Sequence, residues 1–123
     1  MANNQYDELK SAQVAGYFLQ KAGGRMHHIK LIKLMYLAER ESFRLFGRPI
    51  TYDDLYNLPN GQVLSNALNL LKNKKIGEIF HQFITPVRFH QVSLKKETSL
   101  SELRQSEEEI LAAVYDQFGS KDR

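Results

Sequence analysis

The sequence contains no cysteine and no tryptophan. Without thiols there is no disulfide framework, no thiolate metal site and no cysteine nucleophile, and a reducing compartment is the simplest setting. Long apolar runs are missing as well. Nothing approaches the ~20 residues a membrane helix needs, and the opening "MANNQYDELK" has no apolar stretch able to serve as a secretion signal. Together these absences point to a cytoplasmic protein without a membrane partner. Glycine and proline are scattered rather than clustered, so repeats, low-complexity tracts and internal linkers are absent too.

What is present fits one ordinary domain over residues 1–123. A hydrophobic fraction of 42% and a charged fraction of 25% are those of a folded chain able to bury a core. The net charge of +3 is a modest basic excess. It is unevenly spread: Lys21, Arg25, Lys30, Lys33, Arg40, Arg44 and Arg48 crowd the first half, whereas acids gather at Asp53-Asp54 and Glu107 to Glu109.

Periodicity organises the chain. Leu9, Ala12, Ala15, Phe18, Leu19 and Ala22 recur at helical spacing over 8–22, and Gly23-Gly24 ends that helix. A second helix over 26–46 carries apolar residues on more than one face, which predicts a central position, and Gly47 and Pro49 stop it. Leu55 to Leu58 reads as a short extended piece. Val63 to Leu71 reads as a third helix, opened by a Pro59-Asn60-Gly61 turn. Residues 78–84 fit helix or strand equally, and 87–92 alternate imperfectly like a strand. Ser106 and Glu109 have the spacing of a capping box for a last helix, closed by Gly119. The expected fold is mainly α (α+β), with four to five helices and a small β-hairpin or short strands.

Tests for chemistry return little. The Pro59–Gly61 turn lacks the further glycines, or the Gly-Lys-Ser/Thr, of a phosphate loop. His27 and His28, read as neighbours on a helix, point about 100° apart and cannot share an ion, and His81 and His90 have no partner at metal spacing. No nucleophile elbow or isolated carboxylate pair is present. The expectation is a non-enzyme without metal or cofactor. Tyr36, Phe43 and Phe46 near Arg40 and Arg44 would suit nucleic acid, but Glu39 and Glu41 interrupt that strip.

Four pieces in order carry a resemblance: Lys33 to Arg40 ("KLMYLAER"), Gly47 to Thr51 ("GRPIT"), Pro59 to Ser65 ("PNGQVLS") and Ser106 to Gly119. This arrangement resembles the SocA-like, or Panacea, antitoxin domain, a family that also contains proteins labelled phage-associated. The resemblance implies a small helical domain that neutralises a cognate protein toxin by direct binding, as in a type II toxin–antitoxin pair. The second reading is a nucleic-acid-binding regulator or proteolytic adaptor of phage or prophage origin. Two departures stand out. Asn60 and Gln62 occupy positions where the family often has His and Pro, and the chain stops soon after Gly119, short of a further segment in other members. The surface such a segment would cover is the expected seam of any homo-oligomer. Contact with the toxin is expected at the Arg48–Gln62 loop and beside it, through Arg40, Arg48, Tyr52, Asp53, Asp54, Asn60 and Gln62. Gly24, Pro49, Pro59, Gly61, Ser106, Glu109 and Gly119 are expected to act structurally.

Overall fold

The computed structural model describes residues 5–59, 61–73 and 75–120. Among them are four α-helices: α1 (Glu8–Lys21), α2 (His28–Phe46), α3 (Ser65–Lys72) and α4 (Gln105–Phe118). Two antiparallel strand pairs complete the framework. β1 (Arg25–His27) pairs with β4 (Gln91–Ser93), and β2 (Leu55–Leu58) pairs with β3 (Gly61–Leu64). A 3-10 turn spans Phe80–Gln82. The α+β class expected from periodicity is the class observed.

As its two-sided apolar pattern demands, α2 is the hub. It packs on α1, α3, α4, β1 and β3, and Leu31, Ile32, Leu34, Met35 and Ala38 are buried along it. Ala12, Ala15, Phe18 and Leu19 of α1 close the core from one side, with Leu111 of α4 and Leu71 of α3 from others. Asp7 caps α1 by accepting from the Lys10 N–H at 3.0 Å. After α1, the Gly24 N–H reaches back to the Leu19 carbonyl at 2.7 Å, with φ at +104° where a Cβ would be strained. Gly47 ends α2 in the left-handed conformation.

Four expectations need correction. First, residues 25–27 are extended, so α2 starts at His28, because Met26 and its neighbours pair with Val92 and flanking residues of β4. Second, the Pro59–Gly61 stretch joins two strands before any helix begins: Gly61 to Leu64 is β3, and α3 starts only at Ser65. Pro59 follows β2, Gly61 opens β3 opposite Leu58, and Asn60 lies outside the described residues. Third, the strand reading of 87–92 holds only for its end, Gln91 and Val92 of β4, and the residues before them make a tight reversal. Arg88 and Gln91 bond each other through both backbone groups, at 2.9 and 3.0 Å, across Phe89 and His90 at φ +51° and +67°.

Fourth, α4 is not capped by Ser106. Its N-cap is Arg104, and the Glu107 carboxylate accepts from the Arg104 N–H at 2.9 Å. The box is shifted two residues from the expected register, because Glu107 is the acid that faces inward. Glu107 is 1% exposed and also meets the Lys10 ammonium of α1 at 2.9 Å. Glu107 is therefore a buried, paired charge, unlike its exposed neighbour Glu109. At the other end Gly119 is in right-handed helical conformation, so its smallness serves the Tyr115 ring, which a Cβ would approach to 2.5 Å.

Candidate functional site

Five of the seven expected contact residues meet in one place. Arg40, Tyr52, Asp53, Asp54 and Gln62 line a cleft of ≈ 460 Å³ between α2 and the segment leading into the β2–β3 hairpin. Tyr36, Glu39, Phe43, Pro49 and Leu55 complete its wall. Arg48 stands apart from it: its guanidinium lies over the Phe46 ring, 5.0 Å from the centroid.

Helical period explains the inner side. Met35, Ala38, Glu39 and Ser42 form a continuous buried stripe of α2, so Glu39 is carried inward by the same spacing that buries its apolar neighbours. Its carboxylate accepts from the Ile50 N–H at 3.1 Å and the Thr51 N–H at 3.2 Å, which ties the connecting segment onto the helix. Burial pushes this carboxyl above its ordinary range, against the opposing pull of those N–H groups. Sequence reading treated Glu39 as an interruption in a basic strip; the stripe that buries it was the available signal.

Asp53 also has a different task from the one expected. Its Oδ1 accepts from the Asn66 N–H at 2.7 Å and its Oδ2 from the Ala67 N–H at 2.9 Å. The neighbouring Asp54 carbonyl accepts from the Ser65 N–H at 2.7 Å. All three N-terminal donors of α3 are thus satisfied from a dozen residues upstream, since Leu64 at the N-cap position has no side chain able to do so. Burial raises the Asp53 carboxyl pKa, partly offset by these donors. Asp53 is an anchor of α3 more than a group free to meet a partner, which leaves Asp54 as the exposed acid of the pair.

Between these two anchors sits Tyr52 at φ +61°. A non-glycine residue there costs of order 1–3 kcal/mol and persists only when its surroundings over-determine it. Glu39 fixes Thr51 on one side and α3 fixes Asp53 on the other, and the Tyr52 side chain lines the cleft. Across the opening, the Tyr36 hydroxyl donates to Gln62 at 3.2 Å, and Gln62 in turn donates to Asn57 at 3.1 Å. Arg40 extends over the Tyr36 ring, 5.9 Å from its centroid. Two apolar members of the wall are open to solvent: Phe43 is 57% exposed and Leu55 56%.

A second groove of ≈ 500 Å³ runs between α2 and α4, where Ser106 and Glu109 join Leu45, Phe46 and Ile110. The histidines hold a further surprise. His27 is extended rather than helical, so its ring stacks on His28, 5.0 Å between centroids, and the hairpin brings His90 alongside. The geometric ground for separating them, two helical neighbours pointing apart, is therefore wrong. Among the described residues, no helix is long and apolar enough to cross a membrane.

Comparison with known proteins gives one finding. The family model described as "Antitoxin SocA-like, Panacea domain" matches residues 31–123. The match contains the whole cleft and starts inside α2, beyond α1 and β1. No curated protein and no solved structure matches the chain.

Proposed function

Since the chain belongs to the SocA-like Panacea antitoxin family, we propose that it is the antitoxin of a type II pair. In this reading it neutralises a cognate protein toxin by stoichiometric binding at the α2–hairpin cleft, without catalysis or cofactor, in the cytoplasm. The observation that carries the surface is the convergence of Arg40, Tyr52, Asp54 and Gln62 with the exposed Phe43 and Leu55 on one cleft. Aromatic and arginine anchors beside apolar rim residues are what protein interfaces concentrate. The mixed charge of the wall, Arg40 against Glu39, Asp53 and Asp54, favours a protein over the uniform positive track that phosphate backbones require.

The test is co-expression with the neighbouring toxin gene, scoring growth rescue and co-purification at a fixed ratio. Leu55→Asp, which changes an exposed side chain, should abolish both while leaving the thermal melt in place. Rescue without a physical complex would defeat the mechanism, and full rescue by the folded Leu55→Asp variant would defeat the surface.

A further inference from the structure

We propose that His27, His28 and His90 form a binding site for a divalent transition-metal ion of the zinc type, at the junction of β1, α2 and the β4 hairpin. One ring nitrogen from each of the three lies within 4.8 Å of the others. The rings are stacked nearly parallel, with interplanar angles of 14°, 2° and 16°. Ligand nitrogens on a tetrahedral zinc ion, with bonds of ~2.0–2.1 Å, sit ~3.3 Å apart. Because imidazole lone pairs lie in the ring planes, binding requires the rings to turn out of this stack so that their nitrogens converge, and the exposed His90 is the one freest to turn.

Three further features single out this trio. The His90 carbonyl accepts from the His28 N–H at 2.8 Å and lies 3.1 Å from His28 Nδ1. That carbonyl holds the proton on Nδ1 and leaves the Nε2 lone pair for an ion, the way a backbone acceptor orients a metal-bound imidazole. His90 itself occupies a two-residue turn with both φ values positive, where Asn-Gly would fold with less strain. The strain of holding a non-glycine ring there, shared with Phe89, is a cost that a functional role for the His90 side chain would account for. The remaining histidine, His81, has both nitrogens engaged, with the Ile84 carbonyl at 2.8 Å and the Leu70 carbonyl at 2.7 Å, and is unfit to be a ligand.

At His27, Nδ1 accepts from the Ile29 N–H at 3.1 Å. Binding exchanges that contact for a metal–nitrogen bond, so the ion couples to the start of α2. Three neutral imidazoles leave a coordination position for water or for a donor from a partner. The ion would clip two segments more than sixty residues apart. Because the family match begins at residue 31, His27 and His28 fall outside it, and this site does not depend on the antitoxin reading.

The experiment is a titration of the tag-free full chain with Zn²⁺ by calorimetry, and with Co²⁺ by visible absorption, alongside His90→Asn. Asparagine suits the left-handed turn, so the variant keeps the hairpin and loses only the ring. Expected are one ion per chain, a tetrahedral Co²⁺ spectrum, and at least 100-fold weaker binding in the variant. In NMR spectra, Zn²⁺ should shift the ring resonances of His27, His28 and His90 together and leave His81 in place. Equal affinity in His90→Asn, shifts at His81 alone, or no binding at micromolar Zn²⁺ would each overturn the proposal.

Discussion

Glu107 shows how much a single side chain can decide. It is buried, accepts from the N-cap amide of its own helix and pairs with Lys10 on α1, whose side chain is only 12% exposed. Glu107→Ala should therefore destabilise the protein by ~3 kcal/mol, since removing one partner strands the other charge in a low-dielectric setting. Ser106→Ala should change stability by less than ~0.5 kcal/mol, as a helical position without a capping bond. Urea melts of the two variants check both, and a larger loss for serine would restore the unshifted box. Glu39 makes a pH-dependent counterpart. Its folded-state pKa lies above the ordinary 4.5, so the folded protein binds that proton more tightly than the unfolded chain. The resulting stabilisation is fully present below 4.5 and is lost as pH rises through the raised value. Relative to Glu39→Gln, the wild type should gain stability as pH falls from 7 to 5. Denaturant midpoints compared at the two values test this, and an unchanged or opposite difference refutes it.

At the scale of elements, the helices were legible because a period of 3.6 repeats often enough to be seen. The α1 and α2 stripes reappear in the core almost residue for residue, from Ala12 to Leu19 and from Leu31 to Ala38. Of the strands, β2 was legible as the extended piece Leu55 to Leu58 and β4 only as the end of the alternating 87–92 segment, whereas β1 and β3 were not, because each is three or four residues long and takes its reason from a partner elsewhere in the chain. Met26 is extended only since Val92 lies beside it. The Pro59–Gly61 turn could be read as a turn, but not which elements it joins, because β3 runs into α3 without a break. The same lack of a gap explains Asp53. With Leu64 at the N-cap, α3 borrows its cap from residue 53, and no local motif announces so remote a donor–acceptor set. Asp53→Ala should cost ~2 kcal/mol, the upper end for a lost cap. It should also fray the start of α3, which hydrogen exchange at the Asn66 and Ala67 amides would report as faster exchange than at α2. Unchanged protection of those amides would mean that α3 holds its own start. Of the cleft, the loop residues were legible as an exposed connection beside a helical scaffold, while Glu39 was hidden because it was read as one more charge on the basic strip and not as part of the buried stripe of α2.

For the molecule as a whole, the boundary of the family match and the boundary of the physical core do not coincide. The match opens at residue 31, yet Ala12, Ala15, Phe18 and Leu19 of α1 are fully buried against α2, α4 and their neighbours. Polar ties cross the same border. Lys10 reaches Glu107, Glu8 accepts from the Phe80 N–H at 2.8 Å, and Gln13 accepts from the Glu102 N–H at 2.9 Å. Full burial of large apolar side chains is worth ~1.5–3 kcal/mol each, so Phe18 and Leu19 alone supply a sizeable share of a typical 5–15 kcal/mol. A fragment spanning 31–123 would expose their counterparts on α2 and leave Glu107 buried without its cation. It should lose cooperative melting and bind a hydrophobic dye, whereas the full chain should melt in one transition. A Gly16→Val variant probes the same seam in the intact chain. Gly16 is buried on α1, and any Cβ there meets the Thr98 side chain, so the bulkier residue should lower the melting temperature by several degrees, as a change of ~1–3 kcal/mol does in a domain of this size. Cooperative unfolding of the 31–123 fragment at the full chain's temperature would show that α1 is an appendage, and the role assigned to its buried face would fall with it.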